Sequence, residues 1–254
     1  MSSSGIVEAS PPVLPPHRTL TDYYRHGQKS GFLRQIFDRT AIDYDRIERL
    51  MAFGTGAKYR RDALIRAGLK PGMKMLDVAA GTGAVSREAL TILGDARQII
   101  GLDPSAGMLA QLVTSVPIRV LRATGEQLPL ADASFDFLSV GYALRHMGDV
   151  STALSQFHRV LKPGGTVCLL EITAPRNRLA RSLARAYFRG IVPLLTRLAA
   201  RDSKTPLLWK YYWDTIDACI PPAQVMDAMT RAGFTDVRRH LEVGIFSEYT
   251  GSKP

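Results

Sequence analysis

The feature that most constrains the fold of this 254-residue chain is the stretch LDVAAGTGAVSREA at residues 76–89. An apolar run ends in the acid Asp77, a turn containing Gly81 and Gly83 follows, and the next residues have helical periodicity. A strand, a glycine turn and a helix in this order form a nucleotide-binding corner, because glycines let a ligand approach the backbone closely. The stretch therefore predicts an α/β fold with a nucleotide-like ligand at the turn.

Strands and helices alternate around this corner. The predicted strands lie at residues 73–80, 97–104, 118–123, 134–144 and 166–173, and the helices between them at 84–93, 105–116 and 149–161. Such alternation produces a parallel sheet with helices on both faces. Two later strands, at 236–243 and 245–251, complete the predicted fold class. This class is a Rossmann-like α/β fold with a mostly parallel seven-stranded sheet.

The remaining segments are predicted to be helical or loose. Residues 1–18 are rich in Ser and Pro and predict a disordered tail. Residues 19–69 predict a helical lid, and residues 176–218 predict a helical insertion after the fifth strand. The sequence contains no internal repeat and no second domain boundary, so residues 19–254 are expected to form a single domain.

Composition narrows the class of protein. With 46% hydrophobic and 22% charged residues, the chain has the composition of a soluble enzyme, and its net charge of +10 suits an anionic partner. Cys168 and Cys219 have no CxxC partner, so neither a metal site nor a disulfide framework is expected. A nucleic-acid partner is not expected either, because no binding motif accompanies the charge. The absence of a signal-peptide pattern and of a membrane-spanning apolar run favours a cytoplasmic location.

Two acids at predicted strand ends distinguish the ligand. Asp103 ends the second strand, about 20 residues beyond Gly83, where a carboxylate accepts hydrogen bonds from ribose hydroxyls. A dinucleotide fingerprint requires a third glycine at position 86, where this chain has Ser86. The Asp77 carboxylate suits a ligand with a cationic amino group, whereas a pyrophosphate offers no group that would pair with it. S-adenosylmethionine carries a ribose, an adenine and an amino-acid tail without phosphate, so these residues favour it over NAD.

The residues described so far resemble those of the class I S-adenosylmethionine methyltransferases. Within that class, the chain resembles the ubiquinone/menaquinone C-methyltransferase family from about Phe37 to about Tyr249. The segments that carry the resemblance are FDRTAIDYDRIERLMAFG (37–54), LDVAAGTG (76–83), LDPSAGML (102–109), GEQLPLADASFD (125–136), YALRHM (142–147), RVLKPGG (159–165) and LEIT (170–173). The resemblance implies an S-adenosylmethionine cofactor and a small hydrophobic methyl acceptor.

The resemblance also implies where the cofactor binds. Carried over by position, it places S-adenosylmethionine against Gly81, Thr82, Gly83, Asp103, Thr124, Gly125 and Gly141, beside the Asp77 inferred above. The chain departs from the family pattern at several positions. Thr124 and Gly125 stand where the family has Asp or Asn followed by Ala, and Ala84 stands where it has Asp. The family reads Gly-Leu-Arg-Asn where this chain has Ala-Leu-Arg-His at 143–146.

Four residues are candidates for the acceptor side. His146 titrates near neutral pH and is a candidate general base, although it could instead be a solvent-side residue that begins a loop. Arg145 is a candidate for holding a phenolate through charge-assisted hydrogen bonds. Tyr44 and Asp45 lie on a lid helix that is expected to break near Asp43. They are expected to line the acceptor pocket, or Asp45 simply pairs with a nearby arginine.

The stretch at residues 176–201 contains seven arginines and no acid. At helical spacing, one face carries Arg178, Arg181, Arg185 and Arg189, and another carries Leu179, Leu183 and Tyr187. This pattern predicts either an amphipathic helix on an anionic membrane surface or a core-facing helix with a solvated basic face. The first alternative would place the protein peripherally on the inner face of the membrane.

The predicted function is S-adenosylmethionine-dependent methylation of a quinol-like or other hydrophobic small molecule, on carbon. Methylation of a phospholipid headgroup nitrogen is one alternative. A non-catalytic protein that binds the cofactor or a partner is the other. Turnover of S-adenosylmethionine separates the enzyme from the binding protein.

Overall fold

The computed structural model describes residues 13–51 and 54–254, which are built around one sheet. Its strands are β1 (Met75–Val78), β2 (Ile99–Leu102), β3 (Arg119–Leu121), β4 (Phe135–Gly141), β5 (Leu161–Ile172), β6 (Thr235–Glu242) and β7 (Phe246–Ser252). They lie in the order β3-β2-β1-β4-β5-β7-β6. Strands β1 to β5 pair in parallel, whereas β7 is antiparallel to both β5 and β6. The predicted mostly parallel seven-stranded sheet is therefore confirmed.

Helices cover both faces of the sheet. They are α1 (Lys29–Met51), α2 (Gly56–Arg66), α3 (Ala84–Leu93), α4 (Ala106–Ser115), α5 (Val150–Val160), α6 (Arg178–Ala186), α7 (Val192–Ala199), α8 (Thr205–Ala218) and α9 (Pro222–Arg231). A π-helical turn, Tyr187–Ile191, joins α6 to α7. Two 3-10 turns lie at Ala96–Gln98 and Leu144–His146. Among the described helices, none is long and apolar enough to cross a membrane.

Local sequence signals fix several of these elements. All four residues of β1 are buried, as expected for a central parallel strand. Ser105 caps α4 as predicted, because its hydroxyl accepts a hydrogen bond from the Met108 amide at 3.1 Å. Asp149 caps α5 in the same way. The KPGG segment, predicted to be a turn before the fifth strand, instead lies within β5, where the pairing with β4 shifts register.

Helix α1 is continuous through Asp43, so the predicted break is wrong. The Asp43 side chain is buried and accepts hydrogen bonds from the Arg201 amide at 2.8 Å and the Asp202 amide at 2.9 Å. The Thr205 hydroxyl donates a third, at 3.2 Å. Asp43 thus anchors the connection between α7 and α8 to helix α1.

The predicted loose tail is wrong for the part that the structure describes, residues 13–18. The Leu14 amide donates a hydrogen bond of 2.8 Å to the Asp149 carboxylate, and the Ile220 amide donates one of 2.8 Å to the Pro16 carbonyl. These contacts tie the segment to the starts of α5 and α9. The first twelve residues of the predicted tail lie outside the described residues.

Helices occupy both segments that were predicted to be helical around the sheet. Helices α1 and α2 lie within the predicted lid, and α6, α7 and α8 lie within the predicted insertion. Helix α1 packs against both α4 and α8. It therefore bridges the sheet domain and the insertion, and the division of the chain into one domain with a lid and an insertion remains a prediction.

Candidate active site

A cavity of about 590 Å³ lies beneath α1, at the carboxyl ends of the parallel strands. We call its two extremes the β2 end, around Asp103 and Ser105, and the β7 end, around Ile172 and Phe246. The sheet order separates them, because β1, β4 and β5 lie between β2 and β7. The face of α1 that lines the cavity carries Ser30, Leu33, Arg34, Phe37, Tyr44 and Glu48. A cavity at the carboxyl ends of parallel strands is the expected ligand site of this architecture.

The glycine turn contributes one lining glycine and one packing glycine. Gly81 lines the cavity with φ +56°, and a Cβ built on it would meet no atom within 4 Å. Gly83 starts α3 with φ +88°, but it does not line the cavity. A Cβ on Gly83 would lie 3.1 Å from Leu112 and 3.2 Å from Val116. Gly83 permits the left-handed turn and the close packing of α4, and its contact with the cofactor stays a prediction.

Asp77 lines the cavity from the end of β1 and is fully buried. Its carboxylate accepts hydrogen bonds from the Ser86 hydroxyl at 2.6 Å and the Ser139 hydroxyl at 2.7 Å. Burial raises the pKa of Asp77 to about 6, although the two serine hydroxyls pull it down. Ser86, which argued against a dinucleotide in the sequence, thus serves to orient this acid.

Asp103 lies at the end of β2, as predicted. Its carboxylate accepts hydrogen bonds from the Gly81 amide at 2.9 Å and the Ser105 amide at 2.8 Å. Burial, with smaller contributions from the carboxylates of Asp77 and Asp38, raises the pKa of Asp103 to about 6, although the Ser105 and Gly81 amides pull it down. Among the described residues, neither Asp77 nor Asp103 has an ion-pair partner. The cavity therefore contains two buried acids that lack a cation.

The other predicted cofactor positions also line the cavity: Thr82, Thr124, Gly125 and Gly141. Gly141 ends β4, and a Cβ there would lie 2.6 Å from the Val85 side chain. A Cβ on Gly125 would lie 3.2 Å from Met147. Both glycines therefore allow the backbone to pack closely against neighbouring side chains.

His146 lines the cavity and is half-buried between aromatic rings, so it is not the solvent-side residue of the alternative. Its ring stacks on Tyr211 at 5.6 Å and meets Phe37 edge-on at 5.3 Å. Its Nδ1 has no hydrogen-bond partner among the described residues. Burial lowers the pKa of His146 well below its usual value, and the charges of Arg145 and Lys29 lower it further. The imidazole is therefore neutral at physiological pH.

Arg145 does not line the cavity, which corrects the expectation that it holds the acceptor directly. Its side chain is fully buried and pairs with Glu171 at 2.6 Å. Its Nε donates a hydrogen bond to the Thr215 hydroxyl at 3.2 Å, and its guanidinium carbon lies 4.2 Å from the centre of the Tyr212 ring. Arg145 thus points into the core, although its neighbour in sequence, His146, lines the cavity.

Tyr44 and Asp45 diverge although they are neighbours in sequence. Tyr44 lines the cavity, and its ring stacks on Trp209 with centroids 5.8 Å apart. Asp45 pairs with Arg87 at 2.9 Å and accepts a hydrogen bond from the Thr82 hydroxyl. For Asp45, the alternative of an arginine partner is therefore the observed one, and the pair fastens α1 to the glycine turn.

Several site residues were missed by reasoning from the sequence. Glu48 and Arg60 form an ion pair that lines the cavity. Lys29 also lines it and donates a hydrogen bond of 2.6 Å to the Met147 carbonyl. Burial lowers the pKa of Lys29 to about 8. The helical spacing of Lys29, Tyr44 and Glu48 on α1 was the available signal, but it does not show which face meets the sheet.

Comparison with known proteins identifies the family. The sequence profile of the ubiE/COQ5 methyltransferase family matches residues 25–253. The chain belongs to this family. It is accordingly an S-adenosylmethionine-dependent methyltransferase.

Two relatives of this methyltransferase illustrate the match. It is 32% identical to the ubiquinone/menaquinone biosynthesis C-methyltransferase UbiE of Geotalea daltonii, over 89% of this chain and 98% of the relative. It is 30% identical to the demethylmenaquinone methyltransferase of Desulfitobacterium hafniense, over 89% of this chain and 91% of the relative.

Solved structures of S-adenosylmethionine-dependent methyltransferases share the fold. A Thermotoga maritima methyltransferase matches with a TM-score of 0.63 and 21% identity, over 87% of this chain and 100% of that one. A phosphoethanolamine N-methyltransferase 2 of Haemonchus contortus, in complex with S-adenosyl-L-methionine, matches with a TM-score of 0.59 and 16% identity. That alignment covers 92% of this chain and 59% of the Haemonchus chain. At these identities the likeness concerns the fold.

Proposed function

We propose that this methyltransferase methylates a ring carbon of a reduced quinone or of another hydrophobic, hydroxylated aromatic molecule. The observation that carries the proposal is the composition of the cavity. Its β2 end holds a glycine turn and two buried acids, and the rest is walled largely by the rings of Phe37, Tyr44, Tyr59, Tyr142, Phe188, Tyr212 and Phe246. Both curated relatives named above carry quinone names, and one is named a C-methyltransferase.

The cofactor is placed at the β2 end in this proposal, against Asp77, Gly81, Thr82, Asp103, Thr124, Gly125 and Gly141. The open space in front of Gly81 fits a close ligand. The two buried carboxylates fit as well, because a cationic amino group at Asp77 and ribose hydroxyls at Asp103 would offset their desolvation. When bound, S-adenosylmethionine supplies a methyl group on a sulfonium sulfur that departs as a neutral thioether.

The protein's own task is to position the acceptor and to manage its proton. The acceptor carbon has to be held about 3 to 3.5 Å from the methyl group. Tyr44 and Phe37 supply flat apolar walls against which an aromatic ring packs. His146, neutral and lining the cavity, is proposed as the group that accepts the acceptor's proton.

Arg145 is a positioning residue in this scheme. It holds Tyr212, which lines the cavity, through its guanidinium and is itself fixed by Glu171. Its charge also lowers the pKa of the adjacent His146. The proton received by His146 is therefore held weakly and can leave for solvent after methyl transfer.

We further infer that the protein works at the inner face of an anionic membrane. The exposure of helix α6, which has no buried residue, supports the interfacial alternative, although Ala184 packs against the cluster around Trp209 and Trp213. Leu179 is 70% exposed, Leu183 63% and Leu198 84%, and arginines flank them. Arg181 and Arg189 pair with Asp217 and Asp214 of α8, so they are less available to lipid than the sequence pattern implied.

Turnover assays test the proposed function. The protein is incubated with S-adenosylmethionine and reduced demethylmenaquinone, and the expected products are S-adenosylhomocysteine and a quinol heavier by one methyl group. Methylation of phosphatidylethanolamine in its place would favour the headgroup alternative. Cofactor binding without turnover on membrane extract would favour the non-catalytic one.

A further inference from the structure

An ion pair joins the two lid helices at the β7 end of the cavity. Glu48 of α1 and Arg60 of α2 lie 2.8 Å apart, between Oε1 and Nη1. Both residues line the cavity, and the Arg60 side chain is only 6% exposed. The Glu48 side chain is 23% exposed. Because a partly buried ion pair contributes little net stability, its presence in an aromatic wall points to a role toward a ligand.

The surrounding backbone leaves room for this pair. A Cβ built on Gly56 would lie 2.8 Å from Glu48 Oε1 and 3.0 Å from Arg60 Nη1. The Nε of Arg60 is buried without a hydrogen-bond partner among the described residues. Any larger residue at position 56 would therefore press on the two charged groups.

The pair is the charged part of an otherwise aromatic end. Tyr59 packs against Phe246 with ring centroids 4.7 Å apart, and Tyr142 lines the cavity nearby. Burial raises the pKa of Tyr59 and of Tyr142, so both phenols stay protonated. The other carboxylates that line the cavity lie away from this end or have a partner of their own. Asp77 and Asp103 end β1 and β2, and Glu126 accepts a hydrogen bond from the Gly148 amide at 2.5 Å.

We propose that Glu48, held by Arg60, selects acceptors that carry a ring hydroxyl. A carboxylate can only accept hydrogen bonds, so it pairs with the hydroxyl of a reduced, quinol-type ring. The carbonyl of the oxidised quinone offers only lone pairs, so it gains no hydrogen bond from the carboxylate. Arg60 orients the carboxylate and balances its charge while the site is empty of acceptor. This inference rests on the proposed function and adds a determinant of specificity to it.

Binding without turnover tests the inference. The protein is saturated with S-adenosylhomocysteine under anaerobic conditions, and binding of 1,4-dihydroxynaphthalene and of 1,4-naphthoquinone is measured by fluorescence quenching. Wild-type protein should prefer the hydroxylated ring by about ten- to a hundredfold, the worth of a hydrogen bond to a charged group. Glu48→Gln should lose that preference, because an amide also donates.

Matched variants keep the result interpretable. Asp62→Asn changes a half-exposed acid of α2 that pairs with Lys58, and it should leave the preference unchanged. Gly56→Ala should reduce the preference by displacing the pair, and it serves if Glu48→Gln does not fold. S-adenosylmethionine affinity should stay within about twofold in each folded variant, since Glu48 lies away from the β2 end.

The outcomes separate this inference from the proposed function. A wild-type protein without preference, or a Glu48→Gln variant that retains it, would overturn the role of Glu48. Loss of preference in the variant supports the role even if wild-type protein fails to methylate reduced demethylmenaquinone. That combination would reject only the quinone and direct the search to other hydroxylated aromatic acceptors.

Discussion

The carboxylate of Asp38 on α1 accepts a hydrogen bond of 2.6 Å from the hydroxyl of Ser105, the residue that caps α4. The same oxygen accepts a second, at 2.9 Å, from the Gly107 amide. The Ser105 amide in turn donates to Asp103. The lid helix is thus connected through Ser105 to the acid proposed to hold the cofactor's ribose.

Replacing Asp38 should loosen this connection. Asp38→Ala removes two hydrogen bonds that a carboxylate accepts, and each hydrogen bond to a charged group contributes about 1.5 to 3 kcal/mol. Part of this free energy holds α1 in place and does not contribute to cofactor binding. We therefore expect the affinity for S-adenosylmethionine to fall about tenfold and the cofactor to dissociate faster. Calorimetry and stopped-flow fluorescence measure the two effects.

Two further variants bracket that prediction. Gly107→Ala should act in the same direction, because the new Cβ would lie 2.5 Å from the Asp38 carbonyl oxygen. Arg39→Gln breaks an exposed ion pair between the neighbouring residue and Asp202, and it should leave affinity unchanged. If Asp38→Ala binds the cofactor as wild type does, α1 does not act as a lid through this contact.

Asp77→Asn should stabilise the cofactor-free protein while weakening cofactor binding. The folded pKa of Asp77, about 6, lies above its ordinary value of 3.8, so the folded state holds a proton that the unfolded state has lost. Stability therefore falls as pH rises through this window. At about 1.4 kcal/mol per pH unit, the cost above pH 6 is about 3 kcal/mol, which the neutral amide avoids.

Thermal unfolding at several pH values measures this effect. The Asp77→Asn variant should melt higher than wild type at about pH 8, and the gap should close as pH falls toward about 4. Saturation with S-adenosylmethionine should reverse the order, because only the carboxylate can pair with its amino group. A gap independent of pH would show that burial of the charge is not the cause.

Asp103→Ala should weaken S-adenosylmethionine binding by about 1.5 to 3 kcal/mol, the worth of charge-assisted contacts to the ribose. Calorimetry at neutral pH gives this number, and circular dichroism verifies the fold. NAD should bind more weakly than S-adenosylmethionine to the wild-type protein. Unchanged affinity of the variant would remove Asp103 from the site.

His146→Asn should lower turnover by about 10² to 10⁴ while cofactor affinity stays nearly the same. The neutral imidazole is the active form, so the rate should rise with pH through the pKa of His146. With the ordinary pKa of a histidine, that rise would lie near pH 6 to 7. Because burial and Arg145 lower the pKa well below 6.5, we now expect the rise at lower pH and a flat rate around neutrality.

The pH profile of S-adenosylhomocysteine release tests this assignment. Wild-type protein should show no rise attributable to a histidine between about pH 6.5 and 8. Turnover close to wild type in His146→Asn would assign the proton to another group. It would equally fit an amine acceptor that is already neutral, as in headgroup methylation.

Exposed leucines of α6 and α7 should govern membrane binding. Replacing Leu179, Leu183 and Leu198 with Ser should release the protein from acidic liposomes in a flotation assay. Arg178→Gln with Arg185→Gln should weaken flotation further, at roughly 1 kcal/mol per arginine. Val113→Ser, a change on α4 at a residue 50% exposed, is the control. Equal flotation of all variants would leave the helices without a membrane role.

The sequence by itself determined the features that depend on neighbours along the chain. The strand, glycine turn and helix at 76–89, the Ser105 cap and the acid at the end of β2 all follow from residues a few positions apart. The alternation of strand and helix patterns along the chain then determined the parallel sheet, and this sheet places Asp77 and Asp103 at one edge. Family resemblance extended these local signals to the cofactor.

Only the tertiary structure decided which side chains meet across the cavity. Arg145 and His146 are adjacent in sequence, yet one pairs with Glu171 in the core and the other lines the cavity. The Glu48–Arg60 pair depends on how two lid helices cross. Helical spacing gives the faces of a helix but not what each face meets. The partners are set by packing between distant segments, which no local pattern encodes.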